Sequence, residues 1–364
     1  MTEALRLERL ALRGFRNLED LDLEPGPRFN VLSGDNGQGK SNLLEAIHYL
    51  GALESFRLAR RDALIGHDVE RAVLAGKLQA KPAPITAKVA LDRRKARALS
   101  LNGKRPRSKA VWIASIQMVL FHPGDLTLAS GAPQGRRDFL DGMLAQMDPT
   151  FDKTRAAYGK ALRSRNRLLK QDQADRRSIT SYDELLASAG AVIGQARRAL
   201  VEELEPLVVG AFTRVAGTEL PLEVAYRPRV EPELDALRAA LRRSLEKDLA
   251  RGFTAEGPHG DELALTVRER GARHHASQGQ HRMMVLALKI AELEALTRRV
   301  GRVPILLLDD VSSELDPTRN ARLMDALDAL GAQVFLTTTQ RELIRVERDR
   351  VDYRVQAGRV VQGS

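Results

Sequence analysis

The chain contains no cysteine at all. This absence excludes disulfide bonds and cysteine-bound zinc, and it is compatible with a reducing compartment. Aromatic residues make up only 4% of the chain and do not alternate with its basic runs, which disfavours recognition of single strands by base stacking. No apolar run approaches the length of a membrane span, and residues 1–4 do not begin a secretory signal. We therefore expect a cytoplasmic protein.

What the chain has in excess is positive charge, most of it arginine. Its 364 residues include 58 lysines and arginines against 48 acidic residues, a formal net charge of +10. This balance favours an anionic partner, of which nucleic acid is the commonest, although an ordinary solvated surface rich in arginine would give the same total. Hydrophobic residues make up 43%, enough for one large domain or two of ordinary size.

The hydrophobic pattern divides the chain into three stretches. Residues 1–122 read mostly as strands, with a helix from Ser41 to about Leu53 and a hairpin turn at residues 102–103. Residues 123–259 are predicted to be helical, and residues 260–364 return to alternating strands and helices. The pattern therefore predicts an α/β fold that is split by a compact helical insertion.

The strongest motif is a glycine-rich loop that fits the pattern G-x-x-x-x-G-K-[ST]. Its residues are Gly34, Asp35, Asn36, Gly37, Gln38, Gly39, Lys40 and Ser41. A short apolar strand precedes the loop and a helix follows it, so backbone N–H groups and the helix N-terminus can surround phosphate oxygens. Lys40 is predicted to reach the β- and γ-phosphates of ATP, and the Ser41 hydroxyl to bind Mg²⁺.

A second motif is the apolar strand Ile305–Leu308 that ends in two acids, Asp309 and Asp310. This pattern is typical of a Walker B motif, in which Asp309 would hold Mg²⁺ and Asp310 would polarise the attacking water. Taken alone, it also fits a buried strand that ends in an acidic turn. Because both motifs must meet at one nucleotide, the intervening chain has to leave the ATPase core and return.

A third motif consists of Ser277, Gln278, Gly279 and Gln280, directly before a predicted helix. Ser277 could cap this helix and leave its backbone donors free for an anion, although a plain N-cap fits equally well. A second phosphate site on one chain is meaningful only where two chains share their ATP sites.

Together these motifs resemble the RecF family, which belongs to the SMC-like, ABC-type ATPases. Residues 277–280 resemble the ABC signature motif, and residues 312–316, with Ser313 and Asp316, resemble the D-loop. Further similarities lie in Phe15-Arg16-Asn17 and in residues 133–141, 257–259 and 337–339. The resemblance implies an ABC-type P-loop ATPase head (residues 1–122 and 260–364) with a mixed sheet and an antiparallel β subdomain, and a helical arm (residues 123–259).

The resemblance also assigns site residues. It places Arg16, Asn17 and Asn42 at ATP, and Thr338 as the sensor of the γ-phosphate. Gln117 would be the Q-loop residue that senses Mg²⁺, although a polar residue on the solvent face of a strand is an equal alternative. The signature residues and the D-loop would act on the ATP of a second subunit, in an ATP-dependent homodimer.

Three departures from the family pattern qualify these roles. Gly260-Asp261-Glu262 follows residues 257–259 where the family has Arg-Asp-Asp, so any role of that arginine is absent. Residues 337–340 replace the histidine that ABC transporters carry after this strand. Asp310 stands where many ABC ATPases have glutamate, which is compatible with slow hydrolysis.

Two arginine clusters are candidates for DNA binding. Arg57, Arg60 and Arg61 follow the P-loop helix, where SMC-like heads carry a basic loop on the DNA-facing side. Arg136 and Arg137 open the insertion. A third basic run, at residues 160–170, spreads around its helix and is interpreted as a solvated face. With few aromatics, contact with the backbone of duplex DNA is favoured.

The resemblance implies an ATP-dependent DNA-binding protein of recombinational repair. It would dimerise on DNA through ATP, hydrolyse ATP slowly under stimulation by DNA, recognise gapped or junction DNA, and act with RecR and RecO to load RecA. One alternative is an ATP-gated DNA clamp with negligible turnover. Another is the ATPase subunit of a transporter, which would require a membrane partner and the histidine that is missing here.

Overall fold

The computed structural model describes residues 3–171, 175–217, 221–311, 315–346 and 348–363. The strands are β1 (Arg6–Arg13), β2 (Leu21–Leu23), β3 (Phe29–Ser33), β4 (Arg71–Gln79), β5 (Ile85–Asp92), β6 (Ala98–Leu101), β7 (Met118–Phe121), β8 (Leu222–Arg227), β9 (Glu262–Val267), β10 (Arg270–Gly271), β11 (Ile305–Leu308), β12 (Val334–Thr338), β13 (Arg350–Gln356) and β14 (Arg359–Gln362). The α-helices are α1 (Lys40–Ala52), α2 (Lys109–Ser115), α3 (Thr127–Ser130), α4 (Pro133–Met147), α5 (Pro149–Leu169), α6 (Arg176–Thr180), α7 (Asp183–Ala216), α8 (Leu234–Arg251), α9 (Ala272–His275), α10 (Gln278–Val300) and α11 (Pro317–Leu330).

The described residues form two compact units. The head unit comprises those within 1–125, 210–219 and 286–364, and the insertion unit comprises those within 126–209 and 220–285. The first boundary between the head unit and the insertion unit lies at residue 125, close to the predicted boundary at residue 122. The last boundary lies at residue 285, inside α10, and not at the predicted residue 260.

The head unit contains two sheets. One has six strands in the order β14-β13-β3-β12-β11-β7, of which only β14 is antiparallel to its neighbour. Its central strands β3, β11 and β12 are almost entirely buried and mostly apolar, as expected of strands covered on both faces. The other sheet is antiparallel, in the order β2-β1-β4-β5-β6. The α/β fold with a mixed sheet and an antiparallel subdomain is therefore confirmed.

Two local predictions in the head have different outcomes. The turn after β6 is confirmed, because Asn102 and Gly103 have φ of 51° and 75°, as a tight hairpin turn requires. The alternative that placed Gln117 on the solvent face of a strand is wrong, because Gln117 is buried and β7 begins only at Met118, after the short helix α2. Trp112 of α2 is buried and donates from Nε1 to the Leu50 carbonyl at 2.9 Å, so tertiary packing decides this helix.

The insertion unit is not wholly helical. Most of its residues lie in helices, but β10, β9 and β8 form an antiparallel sheet in that order. The strand β8 was not predicted, and β9 was predicted to belong to the head because it begins the strand–helix alternation of residues 260–364. Residues 222–227 pair fully with residues 262–267, which explains why the return to the head lies further along the chain. Within the described residues, no helix is long and apolar enough to span a membrane.

Candidate nucleotide-binding site

The carboxyl ends of four neighbouring parallel strands meet at one edge of the six-stranded sheet. The glycine-rich loop follows β3, and Asp309 and Asp310 follow β11. The residues that follow β7 and β12 lie at the same edge. In open α/β sheets this edge is where ligands bind, because loops and helix N-termini open there.

The backbone of the loop needs its glycines. Gly34, Gly37 and Gly39 have φ of 150°, 80° and 111°, which side chains rarely tolerate. A Cβ at Gly34 would lie only 2.2 Å from the carbonyl oxygen of Val355. These glycines keep the backbone in the path that turns N–H groups toward a phosphate, and α1 begins directly after them.

Lys40 is buried within this loop. Its Nζ donates to the carbonyl oxygens of Gly34 at 2.5 Å and Asp35 at 2.9 Å. Burial lowers the pKa of Lys40, while the charges of Asp310 and Asp309 raise it. A cation held between neutral carbonyls and two nearby acids is placed to receive a strongly anionic ligand.

The two main motifs meet at a hydrogen bond. The Ser41 hydroxyl donates to Oδ1 of Asp309 at 2.8 Å, although the two residues are 268 positions apart in sequence. Mg²⁺ prefers oxygen ligands such as a hydroxyl and a carboxylate, so this pair fits the ion that the resemblance implies.

Thr337, at the end of β12, joins the two acids. Its hydroxyl donates to Oδ1 of Asp309 at 2.8 Å and accepts from the backbone N–H of Asp310 at 2.9 Å. Asp310 has φ of 51°, a left-handed conformation that aspartate tolerates better than most residues. The structure thus provides a reason for aspartate at this position, because the turn into which it is locked disfavours glutamate.

The predicted sensor, Thr338, contacts Gln340. The Thr338 hydroxyl accepts from the N–H of Gln340 at 3.0 Å and donates to its carbonyl at 3.1 Å. Successive side chains of a strand point to opposite faces, so Thr337 and Thr338 cannot share a face of β12. The threonine that contacts Asp309 is therefore Thr337.

The assignment of Gln117 to the magnesium site is wrong. Gln117 precedes β7, at the amino end of a strand whose carboxyl end lies beside Asp309. It is buried, and its Oε1 accepts from Nε of Arg302 at 2.9 Å. The parallel direction of β7 could not be read from the sequence, and that direction decides which end reaches the nucleotide.

The residue that does follow β7 is His122, which the sequence analysis missed. Asp309 donates its backbone N–H to the carbonyl of Phe121 at 2.9 Å, which places His122 beside the Walker B acids. Its Nδ1 accepts from the N–H of Gly124 at 3.1 Å, and its ring packs 5.2 Å from that of Phe56. Burial lowers the pKa of His122. A strand end at this edge of the sheet was the signal that could have identified it.

The three residues assigned to ATP by resemblance occupy different positions. Asn17 and Asn42 form a side-chain hydrogen bond of 2.6 Å, next to Gly39 of the loop. Arg16 instead pairs with the fully buried Glu45 of α1, at 2.5 Å from Nε to Oε2. Arg16 thus links α1 to the segment that follows β1 of the antiparallel sheet, while the two asparagines lie beside the glycine-rich loop.

A turn between β13 and β14 braces the loop from the other side. The backbone N–H of Gly358 donates to the carbonyl of Gln38 at 2.9 Å, and that of Ala357 donates to its side-chain oxygen at 2.6 Å. Gly358 has φ of 83°, and a Cβ there would lie 2.0 Å from the carbonyl oxygen of Asn17. Nothing in the sequence of this turn indicated such a role.

The signature residues form a capping box in the insertion unit. The Ser277 hydroxyl accepts from the N–H of Gln280 at 3.2 Å, and the Gln280 side chain accepts from the N–H of Ser277 at 2.8 Å. Of the D-loop residues, Asp316 caps α11 by accepting from the N–H of Arg319 at 3.0 Å. Ser313 lies outside the described residues.

The arginines after the P-loop helix differ in their contacts. Arg57 donates to Oδ1 of Asn42 at 2.8 Å and lies over the Phe56 ring. Arg61 donates to the carbonyl of Lys95 at 2.8 Å, and Arg60 is exposed. Through Asn42, the loop that carries Arg57 is linked directly to the nucleotide-binding edge.

The arginines that open the insertion are not a free basic surface. Arg136 is 6% exposed and pairs with Glu262 at 2.7 Å, so it is a structural ion pair and not a DNA contact. Arg137 is half-buried and donates to the carbonyl of Asp261 at 2.8 Å. In the run at 160–170, Arg165 is fully buried between Asp183 and Asp248 rather than solvated.

A P-loop joined to a pair of acids at the carboxyl edge of a mixed sheet, with an antiparallel sheet beside it in the same unit, defines the head of an SMC-like, ABC-type ATPase. A family model described as the RecF/RecN/SMC N terminal domain matches residues 6–361. The chain belongs to the RecF family of DNA replication and repair proteins.

Curated relatives and solved structures agree. The protein RecF of Anaeromyxobacter sp. (strain Fw109-5) is 44% identical, over 98% of this chain and 99% of its own. That of Myxococcus xanthus (strain DK1622) is 41% identical, over 94% and 92%. A structure described as the recombination mediator protein RecF-ATP in the RecFOR pathway aligns with a TM-score of 0.91 and 29% identity, over 100% and 99% of the two chains. An Smc head domain from Pyrococcus furiosus, with a TM-score of 0.58 and 16% identity over 99% and 96%, shares the fold alone.

Proposed function

We propose that this chain binds and slowly hydrolyses ATP with Mg²⁺, and that ATP holds two copies together on duplex DNA during recombinational repair. The observation that carries the proposal is the hydrogen bond of 2.8 Å between Ser41 and Asp309, which brings the P-loop and the Walker B acid to one point. The structural neighbour described as RecF-ATP supports ATP as the nucleotide.

The roles of the residues follow from their positions. The N–H groups of residues 34–41 and the charge of Lys40 would bind the phosphates, and Ser41 and Asp309 would hold Mg²⁺. When bound, the ion would neutralise charge that develops on the phosphates. Asp310 would orient the attacking water, with Thr337 holding the backbone that presents it. The chain thus contributes positioning and electrostatics, which are the main requirements of phosphoryl transfer.

The dimer part of the proposal rests on the signature residues. The capping box leaves Ser277 and Gln278 exposed at the start of the long helix α10. Donors at a helix start suit the γ-phosphate of an ATP bound to a second copy, and the D-loop with Asp316 would act on the same ATP. Two such shared sites would close the dimer.

The DNA part rests on charge and on the link between Arg57 and Asn42. A net charge of +10 favours a polyanion, and Arg57 and Arg60 lie on an exposed loop that is connected to the P-loop helix. We propose that this loop contacts the DNA backbone. With a neighbour described within the RecFOR pathway, we further propose action with RecO and RecR, and loading of RecA at gapped or junction DNA.

One alternative retains support. The left-handed turn at Asp310 selects a short acid, and a short acid reaches less far toward a water molecule. This favours an ATP-gated DNA clamp in which turnover is negligible. Membership of the RecF family gives no support to the transporter subunit.

Sedimentation velocity would test the proposed dimer. The parent chain should sediment as a dimer with ATP and Mg²⁺ and as a monomer with ADP, because only ATP carries the γ-phosphate that bridges two copies. Lys40→Met should abolish the dimer, whereas Lys88→Met, on an exposed position of β5, should leave it intact. A parent that stays monomeric at saturating ATP, with DNA present, would overturn the proposal.

A further inference from the structure

Two segments singled out in the sequence take no part in the nucleotide-binding edge. Residues 133–141 open α4, and residues 257–259 precede β9; both belong to the insertion unit. Together with α5 and α7 they line one groove of about 450 Å³. Two separate motifs that converge on one groove within the insertion unit indicate a second binding site.

One part of the groove lining, formed by Tyr158 and His259, is polar but uncharged. The hydroxyl of Tyr158 lies 2.6 Å from Nδ1 of His259, and Nε2 of His259 lies 2.9 Å from the carbonyl of Thr254. A carbonyl only accepts, so Nε2 is the donor and Nδ1 accepts from Tyr158. Burial lowers the pKa of His259, which favours this neutral form.

The buried acid of the groove is already neutralised. Asp141 accepts two hydrogen bonds from Arg197, at 2.9 and 3.0 Å. Arg137 donates to a carbonyl and to the side-chain oxygen of Gln134 at 2.7 Å, and both of these acceptors are neutral. Burial and the nearby charge of Arg197 lower the pKa of Arg137, while the charges of Glu262, Asp138 and Asp261 raise it.

The rim adds two exposed arginines on one side of α5. Arg155 and Arg163 are two helical turns apart, about 12 Å along the axis. Arg155 lies 2.9 Å from Asp152, an exposed pair of little energetic worth, and Asp138 is the exposed acid of the lining. The rim therefore presents a short row of guanidinium groups, the donors best suited to phosphate.

A glycine inside α5 keeps the groove open. Gly159 lies in the helix interior, where glycine is less favourable than alanine. A Cβ at this position would meet only the flexible end of Arg163, at 3.3 Å. Core packing therefore does not require the glycine, whereas a ligand lying against this face of α5 would.

We propose that this groove binds phosphate groups of a duplex DNA backbone, with the exposed Arg155 and Arg163 as the contacts. The inference rests on the DNA-binding function proposed above and adds a second contact surface in the insertion unit. A row of arginines suits a regularly charged backbone, since phosphates recur along each strand and need no base to be read.

A matched pair of charge reversals would test the groove. We compare Arg155→Glu/Arg163→Glu with Arg243→Glu/Lys247→Glu, on exposed positions of α8 outside the groove, in the full chain with ATP and Mg²⁺. Binding of a labelled duplex is followed by fluorescence anisotropy over a range of salt. The groove variant should bind the duplex at least about 10-fold more weakly. The slope of log affinity against log salt concentration should become shallower by about 2, because each lost phosphate contact reduces its magnitude by about 0.9. Equal effects of both pairs, or none, would overturn the proposal.

Gly159→Leu separates binding from folding. Leucine is a good helix former, so the melting temperature should not fall, while its side chain occupies the groove and weakens DNA binding at least about 10-fold. If Gly159→Leu bound DNA with parental affinity, the proposal would be overturned. Polyglutamate serves as a second probe, a model of an acidic protein. If Gly159→Leu lost binding to polyglutamate but kept its binding to DNA, the groove would be a site for an acidic protein partner, and the proposal would also be overturned. A parent chain that binds no DNA at all would instead overturn the proposed function.

Discussion

At the scale of single residues, one carboxylate oxygen of Asp309 accepts from both Ser41 and Thr337. Ser41 belongs to the P-loop, and Thr337 also holds the backbone of Asp310. Each of these hydrogen bonds involves a charged or strained partner, so each should contribute more than an average surface bond. The Walker B acids are therefore positioned by β12 as well as by their own strand.

Replacing Thr337 tests this arrangement. Thr337→Val keeps the shape of the side chain but removes both hydrogen bonds, so the turnover number for ATP should fall about 10-fold or more. The KM for ATP should change little, because the phosphate-binding N–H groups and Lys40 remain. Steady-state kinetics over a range of ATP and Mg²⁺ would measure both.

The conservative variant supplies the control. Thr337→Ser keeps the hydroxyl and should retain most of the parental turnover. If the valine and serine variants were equally impaired, the defect would lie in packing of β12 and not in the hydroxyl.

At the scale of elements, the glycine-rich loop is supported by distant parts of the chain. Gln38 accepts from the turn between β13 and β14, and Asn17 lies beside Gly39. These contacts hold the loop in a phosphate-binding path before any ligand is present, which lowers the entropic cost of binding. The final hairpin is therefore part of the nucleotide site, although it carries no recognisable motif.

Gly358→Ala should disrupt this support. The new Cβ would lie 2.0 Å from the carbonyl oxygen of Asn17, at a backbone φ of 83°. The strained conformation alone costs about 1–2 kcal/mol, and the clash must displace backbone on one side. We expect a lower melting temperature and at least about 10-fold weaker ATP binding, as measured by calorimetry on the folded variant.

Gly103→Ala is the matched control for this effect. Gly103 has a similar φ of 75°, but nothing lies within 4 Å of the added Cβ. Gly103→Ala should lower the melting temperature as Gly358→Ala does, but it should leave the affinity for ATP unchanged. Equal weakening of ATP binding in both variants would remove any specific role of the hairpin.

At the scale of the whole molecule, the question is whether the dimer hydrolyses ATP or only binds it. Both proposals bring two copies together around ATP, and they differ in whether the γ-phosphate is released. Asp310 decides between them, because a carboxylate that orients water is needed for turnover but not for closure.

Asp310→Asn should distinguish a working ATPase from an ATP-gated clamp with negligible turnover. Asparagine tolerates the same left-handed backbone, so the fold and the ATP-dependent dimer should persist. For a working ATPase, hydrolysis in the presence of DNA should fall at least about 100-fold, as measured by phosphate release. Equal rates in parent and variant would leave the clamp with negligible turnover as the function.

The sequence by itself identified the motifs of an ABC-type ATPase, because the P-loop is continuous in the chain and Asp309–Asp310 end an apolar strand. It also determined the α/β fold of the head, through buried strands such as Ile305–Leu308. Only the tertiary structure decided which end of β7 lies beside Asp309, and that end carries His122 and not Gln117. It also showed that Thr337 rather than Thr338 contacts Asp309, and that Arg136 is a buried ion pair. Those outcomes depend on strand direction, on the face of a strand and on partners more than a hundred residues away, none of which a local pattern contains.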